Sequence, residues 1–216
     1  MAINARVPPG RAGRIWLRRR LATANRGREQ LDRKLRILQP ELQRQRIRAA
    51  RSQEAWEAAC ERSRRWTTRV ALLSGEDAFR HASPDEPARV RLTWATSMGV
   101  TYPRSAELSV PTDPPQVLDD AAVVPAVEAA GEALLAGVGT AAADEAVRRI
   151  EAEIAVTRRR LRALEDRWLP WLTDRLAELE QALEQAEHED GVRLRRAVAI
   201  GRPPTARGSA EERSAP

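Results

Sequence analysis

Residues 17–73 read LRRRLATANRGREQLDRKLRILQPELQRQRIRAARSQEAWEAACERSRRWTTRVALL. Steps of four and three residues from Leu17 to Leu73 define 17 positions, and 13 of them are apolar, although the whole chain is only 42% hydrophobic. A seven-residue apolar repeat of this length is typical of a coiled-coil helix. Such a helix would be about 85 Å long, so it needs a partner along its length. The predicted core positions of this helix are Leu17, Leu21, Leu31, Leu35, Leu38, Leu42, Trp56 and Trp66.

The last third of the chain carries the same seven-residue apolar repeat and supplies that partner. Near Trp168 the repeat shifts by one residue, because three successive steps of four residues occur there, and this relaxes the left-handed supercoil. Pro40 and Pro170 lie within the two repeats, and we expect bends there because the apolar pattern continues past both. The predicted core positions of this second helix are Ile150, Ile154, Leu161, Leu164, Trp168, Leu172, Leu176, Leu179 and Leu183.

The segment between the two apolar repeats has a different composition. Pro and Gly recur through it, and two short alternating runs within residues 90–102 favour a small β-hairpin; an Ala-rich end could add a short helix. The predicted fold is mainly α. A long antiparallel two-helix coiled coil is formed by helices at 12–74 and 143–200, with an insert at 75–142 and a disordered tail at 201–216.

Charge is unevenly distributed along the chain. The net charge is +6, but residues 1–70 hold 19 basic and 6 acidic side chains. If Leu17 faces the region of Val198, acidic and basic blocks of the two helices meet twice, and we use this match to predict the register. Exposed ion pairs contribute only about 0–1 kcal/mol each, so they align the helices more than they stabilise them.

Few residues are suited to catalysis or to metal binding. The chain has one Cys, Cys60, and two His, His81 and His188. These numbers exclude an internal disulfide, a thiolate metal site and a multi-His site. A phosphate-binding loop is missing too. The N-terminus has no apolar signal core, and the apolar stretch 121–143 is interrupted by Pro and Glu. We therefore expect a soluble, cytoplasmic protein, and the residues offer no candidate for a catalytic, cofactor or metal site.

Basic clusters at the two ends of the chain are the main candidates for function. In the predicted register they form a collar at one end of the coiled coil, either a solvated face or a docking surface for acidic loops or phosphates. Among the Trp residues, Trp16, Trp94 and Trp171 lie off the repeat and could contact a partner. The collar residues are Arg14, Arg18, Arg19, Arg20, Arg193, Arg195 and Arg196.

Four stretches in this order resemble the D subunit of the vacuolar/archaeal-type (V-type) rotary ATPases, over about residues 6–200. The opening stretch is Leu21, Ala24, Arg26, Gly27, Leu31 and Lys34. The insert motif is Met98, Gly99 and Val100 with Pro103. The third is Arg159-Arg160-Leu161-Arg162-Ala163-Leu164-Glu165 followed by Pro170, and the fourth is Arg193-Leu194-Arg195-Arg196. Arg162 stands where the family has Asn, and Pro40 is not expected in the opening helix.

The resemblance implies a non-catalytic central-stalk protein, the rotor axle of a V-type ATPase or ATP synthase. It would transmit torque between the catalytic ring and the ion-translocating membrane rotor. The implied partners are the catalytic and regulatory ring subunits, a small central-stalk subunit and a membrane-rotor adaptor subunit. The location would be cytoplasmic and peripheral to the membrane, with the collar against the ring, and with no nucleotide, nucleic acid or transmembrane segment of its own.

Two alternatives stay open at this point. The basic first helix could belong to a coiled-coil protein that binds nucleic acid, in which case binding should weaken steeply with salt. The chain could also be a scaffold or a homodimeric coiled coil without fixed partners.

Overall fold

The fold of the chain comes from a computed structural model, which describes residues 6–75, 78, 86–111 and 121–200. The prediction of a mainly helical fold, with two long helical segments and a small hairpin between them in the chain, is confirmed. The predicted tail at 201–216 lies outside the described residues. In chain order the elements are α1 (Gly10–Ser74), β1 (Arg89–Ser97), β2 (Val100–Ser109), α2 (Val123–Ala163), a π-helical turn (Leu164–Trp168) and α3 (Leu169–Ile200).

The chain divides into two units, and the first consists of Met1–Gly27 with Ala163–Pro216. In this unit the start of α1 packs against the π-helical turn and α3. Leu17 and Leu172 are fully buried, and Ala24 lies in the same cluster. Half-buried side chains from both helices surround them: Val7, Trp16, Leu21, Leu164, Trp168, Leu169, Trp171, Leu176 and Leu179.

The second unit, Arg28–Arg162, has two apolar clusters. One joins Leu35 and Leu38 of α1 to Ile150 and Ile154 of α2, and it also contains residues of the hairpin. The other joins Trp66 and Val70 to the start of α2, where the buried side chains are Val123 and Ala126. In this second cluster the large side chain of Trp66 packs against the small side chain of Ala126, whereas the first cluster joins side chains of similar size.

The phase shift that the sequence predicts at Trp168 is a π-helical turn. The N–H of Leu169 donates to the carbonyl of Leu164, five residues earlier, so one extra residue enters the helix. Pro170 follows at once, and it has no N–H and would press against a carbonyl four residues earlier in a regular α-helix. The wider turn accommodates this ring without ending the helical path. Pro40 likewise lies inside α1 and does not end it.

The register predicted from the charge blocks is wrong. In the first unit Arg18 meets Glu180, with 2.6 Å between Nη2 and Oε1, rather than a residue near Val198. In the second unit Nζ of Lys34 lies 2.7 Å from Oε1 of Glu153. Further inter-helix pairs within the units are Arg11–Glu187, Arg46–Glu151 and Arg62–Glu132.

The reason for this error is the start of α2. The apolar repeat predicts a second long helix from residue 143, but α2 begins at Val123, inside the segment predicted as the insert. Those 20 Ala-rich residues supply the partner for the end of α1, so in the second unit α1 meets residues of α2 that come earlier in the chain than the charge blocks predict. Burial of apolar side chains contributes about 1.5–3 kcal/mol each, which outweighs a match between exposed charges.

Two glycines of α2 test this register. An alanine at position 137 would place its Cβ 2.9 Å from Nε1 of Trp56, whereas Gly139 has no atom within 4 Å of the equivalent point. We expect Gly139→Ala to raise the free energy of unfolding by up to about 1 kcal/mol, because Ala favours the helix. Gly137→Ala should lower it by about 1–3 kcal/mol through overpacking.

Urea denaturation followed by circular dichroism measures both changes. In a Trp56→Ala background the two substitutions should become equally stabilising. Equal stabilisation by both substitutions in the unmodified chain would contradict the observed register.

Candidate interaction surfaces

The hairpin turn is made by the first two residues of the insert motif. Ser97 pairs with Val100, so Met98 and Gly99 form a two-residue loop. Their φ angles are 48° and 79°, and two positive values are the signature of a type I′ turn. Gly99 adopts this conformation without strain, whereas a side chain such as that of Met98 makes it costly.

Pro103, the last residue of the motif, lies at an irregularity in the sheet. Trp94 pairs with Pro103 and Thr93 with Ser105, so Arg104 is an extra residue on β2. A proline cannot donate to a ladder hydrogen bond and is tolerated in a strand at such a bulge. Pro103 is also fully buried, so it both shapes β2 and fills space beneath it.

The turn end of the hairpin packs on the two helices of the second unit. Val100 and Tyr102 are buried in the cluster that contains Leu38 and Ile150. From α2, Arg149 donates to the carbonyl of Thr101 at 3.4 Å, and its guanidinium lies 5.2 Å from the ring centroid of Trp94. One face of the hairpin is therefore held by apolar contacts and one edge by an arginine.

A buried carboxylate on α1 adds a polar contact to the hairpin. The hydroxyl of Tyr102 donates to Oε1 of Glu41 at 2.9 Å, and Nε2 of Gln45 donates to the same oxygen at 2.8 Å. Nε of Arg44 donates to the other oxygen at 3.0 Å. Burial raises the pKa of Glu41, but the hydrogen bonds from Gln45, Arg44 and Tyr102 outweigh it and hold the pKa below its ordinary value.

Sequence reasoning missed Glu41 altogether. It follows Pro40 between the predicted core positions Leu38 and Leu42, and a charge there reads as an ordinary exposed helix residue. The structure leaves the residue only 8% exposed. The available signal was the single Tyr of the chain, in the insert, because a buried tyrosine hydroxyl needs a polar partner.

The basic residues near the start of α1 lie in the first unit. Arg14 is half-buried, while Arg18 to Arg20 are exposed. Arg18 is paired with Glu180, and the guanidinium of Arg20 lies 5.2 Å from the ring centroid of Trp16. Among the described residues Arg19 has no ion-pair partner.

The second basic cluster, on α3, does not lie beside the first. Because Arg11 pairs with Glu187 and α1 begins at Gly10, the last turns of α3 extend past the start of α1. Arg193 is about 20 Å further along α3 than Glu180, the partner of Arg18. The predicted collar is therefore two separate basic patches, and their separation follows from the corrected register.

The end of α3 carries apolar as well as basic side chains. Leu194 and Val198 are 67% and 70% exposed. Nε of Arg195 donates to the carbonyl of Gly191 at 3.2 Å, and Arg193 lies 3.5 Å from Glu189. Arg196 has no ion-pair partner within the described part of the chain. This end is suited to contact a surface that is apolar at its centre and acidic at its rim.

Within the described ranges, no group of three His, Cys, Asp or Glu side chains is placed to hold a metal ion. The helical run Val123–Val198 does contain an 18-residue window with a mean hydropathy of 1.3, sufficient in length and composition for a membrane span. From the sequence we expect no membrane-spanning segment, and this window differs from that expectation. Core helices of soluble proteins reach the same length and mean hydropathy. In each unit this run packs against α1.

Comparison with protein families matches residues 14–199 to the family of the ATP synthase D subunit. The chain belongs to this ATP synthase family. Its members are stalk subunits of ATP synthase complexes, which are generally not catalytic. A comparison with curated proteins finds no significant match.

The residues that carry the resemblance to the D-subunit family have identifiable structural roles in this chain. Met98 and Gly99 make the turn, Val100 enters the core, and Pro103 marks the bulge. In the opening stretch, Lys34 forms the half-buried ion pair with Glu153, and this hydrogen bond lowers the pKa of Glu153. The insert-motif residues therefore build the hairpin and attach it to the helices, and Lys34 forms an ion pair between α1 and α2.

The buried Glu41–Tyr102 contact predicts how stability depends on pH. A carboxylate whose folded pKa lies below its unfolded value stabilises the fold at neutral pH, and this stability is lost as pH falls through the folded pKa. Burial and the bond to Glu41 raise the pKa of Tyr102, so its contribution is instead lost at strongly alkaline pH. We expect Tyr102→Phe to cost about 1.5–3 kcal/mol at pH 7.

Glu41→Gln should flatten the loss of stability between pH 6 and pH 3, measured by urea denaturation at each pH. Glu184→Gln, which alters an exposed carboxylate of α3, is the matched control and should leave the slope unchanged. A Glu41→Gln profile parallel to that of the unmodified chain would rule out this contact as a source of the acid sensitivity.

The turn offers a second, independent test. Met98→Asn should raise the free energy of unfolding by about 0.5–1 kcal/mol, because Asn tolerates positive φ and favours type I′ turns. Gly99→Ala should lower it by about 1–2 kcal/mol. Thermal unfolding reports both changes, and destabilisation by Met98→Asn would show that the methionine side chain stabilises the turn.

Proposed function

We propose that the chain is the non-catalytic central-stalk component, or rotor axle, of a V-type rotary ATPase or ATP synthase. It transmits torque between an ATP-hydrolysing or ATP-synthesising ring and an ion-translocating membrane rotor. Its partners are the catalytic and regulatory subunits of the ring, a small central-stalk subunit and an adaptor of the membrane rotor. It acts on the cytoplasmic side, peripheral to the membrane.

The observation that carries this proposal is the family match over residues 14–199, with the helix pairing seen in both units. In each unit α1 is fastened to a later helix by buried apolar clusters and by ion pairs that cross between the helices. Two helices joined in this way resist sliding and twisting better than a single helix does. Resistance to twist is what a torque-bearing element requires.

Contact with the ring is assigned to the exposed basic side chains of the first unit. Arg19 and Arg196 are the best candidates, because both are exposed and neither side chain has an ion-pair, hydrogen-bond or aromatic partner among the described residues. Arg18 is less suited, since Glu180 already neutralises it at 2.6 Å. Acidic loops of the ring subunits are the complementary surface, and such contacts act mainly on association and alignment.

Coexpression with the catalytic and regulatory P-loop subunits of a V-type ATPase tests the assignment. We expect the chain to copurify with them in a complex that hydrolyses ATP. A chain that purifies alone as a homodimer, or that binds nucleic acid with a steep salt dependence and none of these subunits, would contradict it.

Charge reversal then tests the ring contact. The double variant Arg19→Glu, Arg196→Glu should weaken assembly or coupled ATPase activity by about tenfold or more, because two unpaired cations become repulsive. The matched control is Arg33→Glu, Arg51→Glu, which makes the same change in net charge at two exposed arginines of the second unit and should retain activity. Equal activity of both variants would remove the basic patches from the coupling interface.

A further inference from the structure

Among the described residues, no strand pairs with the outer edge of β1. The described sheet has two strands, β1 and β2, in antiparallel pairing. All six residues from Arg89 to Trp94 are exposed, including Val90 at 51%, Leu92 at 39% and Trp94 at 49%. A two-stranded hairpin with exposed apolar side chains is marginal by itself and normally gains further strands or a covering element.

The backbone groups at this edge follow from the turn. A two-residue loop makes its flanking residues, Ser97 and Val100, a hydrogen-bonded pair. Along β1 the odd-numbered residues therefore bond to β2, and the even-numbered residues direct their N–H and C=O groups outward. Val90, Leu92 and Trp94 thus present exposed apolar side chains together with backbone groups that have no partner in the described part of the chain.

The edge of β2 is closed by comparison. Position 103 offers no N–H donor at the outer edge of β2, because this residue is proline, and Arg104 forms a bulge next to it. The carbonyl of Thr101 already accepts a hydrogen bond from Arg149. Bulges, prolines and covering side chains are the devices that protect sheet edges, and in the described hairpin they lie on β2.

Charge on β1 specifies the kind of strand that fits. The odd-numbered residues Arg89 and Arg91 lie on the face opposite to Val90 and Leu92. The side chain of Arg89 is 82% exposed and lies 3.6 Å from Glu86, while Arg91 has no ion-pair partner among the described residues. A strand added at this edge would place acidic residues beside the arginines and apolar residues beside Val90, Leu92 and Trp94.

We propose that the outer edge of β1 binds an extended segment of a partner protein, which adds to the hairpin as a third strand. The segment alternates apolar and acidic residues, and its backbone bonds to the even-numbered residues of β1. This is recognition by strand addition, in which main-chain hydrogen bonds give affinity and alternate side chains give specificity. The inference rests on the proposed function only in taking the partner from the assembled complex.

Amide hydrogen exchange, resolved to single residues, tests this in the purified complex and in the isolated chain. On assembly, the N–H groups of Val90, Leu92 and Trp94 should exchange about tenfold or more slowly, because they become hydrogen-bonded. The N–H groups of Arg91, Thr93 and Ala95 bond to β2 in both states and should change little. Unchanged exchange of the even-numbered amides in an intact complex would overturn the proposal, as would protection already present in the isolated chain.

A pair of substitutions at one position separates backbone from side chain. Leu92→Pro removes the outward N–H as well as the side chain, and Leu92→Ala removes the side chain alone. We expect Leu92→Pro to weaken assembly about tenfold more than Leu92→Ala, while the odd-numbered amides stay protected and so report an intact hairpin. Equal effects of the two variants would mean that no strand is added. Failure of the unmodified chain to assemble would instead reject the proposed function.

Discussion

Burial of one apolar stripe on α1 is the constraint on which the rest of the structure depends. A helix with a single apolar stripe is stable only beside a partner, and each buried Leu or Ile contributes about 1.5–3 kcal/mol. Leu17 and Leu38 are completely buried, in different units, against different parts of the later helices. The ion pairs between the helices join groups that this packing has already brought together.

The hairpin depends on the same packing. Its turn end rests on Leu38 of α1 and Ile150 of α2, so it has a defined position only when those helices are paired. Tyr102 then reaches Glu41, and the hydrogen bonds at that carboxylate compensate for its removal from water. The rest of β1 extends beyond this support with its edge exposed. The hairpin is thus anchored at one end and open at the other, as expected of an element that receives a partner.

The sequence predicts the helices well because heptad periodicity is a local property. It also locates the extra residue near Trp168, since a π-helical turn shifts the phase of the repeat by one. It fails for the register, because the Ala-rich residues 123–142 carry little periodic signal and resemble the insert more than the helix that follows. The contact between Glu41 and Tyr102 could not be predicted from the sequence for a related reason. It depends on how the hairpin folds onto α1, which no local pattern encodes.

Single-molecule rotation measures directly whether this chain turns relative to the ring. A gold particle is attached through Glu86→Cys, in a Cys60→Ala background, to the assembled complex with its ring fixed to a surface. If this chain is the rotor axle, ATP drives the particle in one direction in regular steps, and inhibition of hydrolysis stops it. A particle that stays fixed relative to the ring while ATP is hydrolysed would contradict the assignment of this chain as the rotor axle.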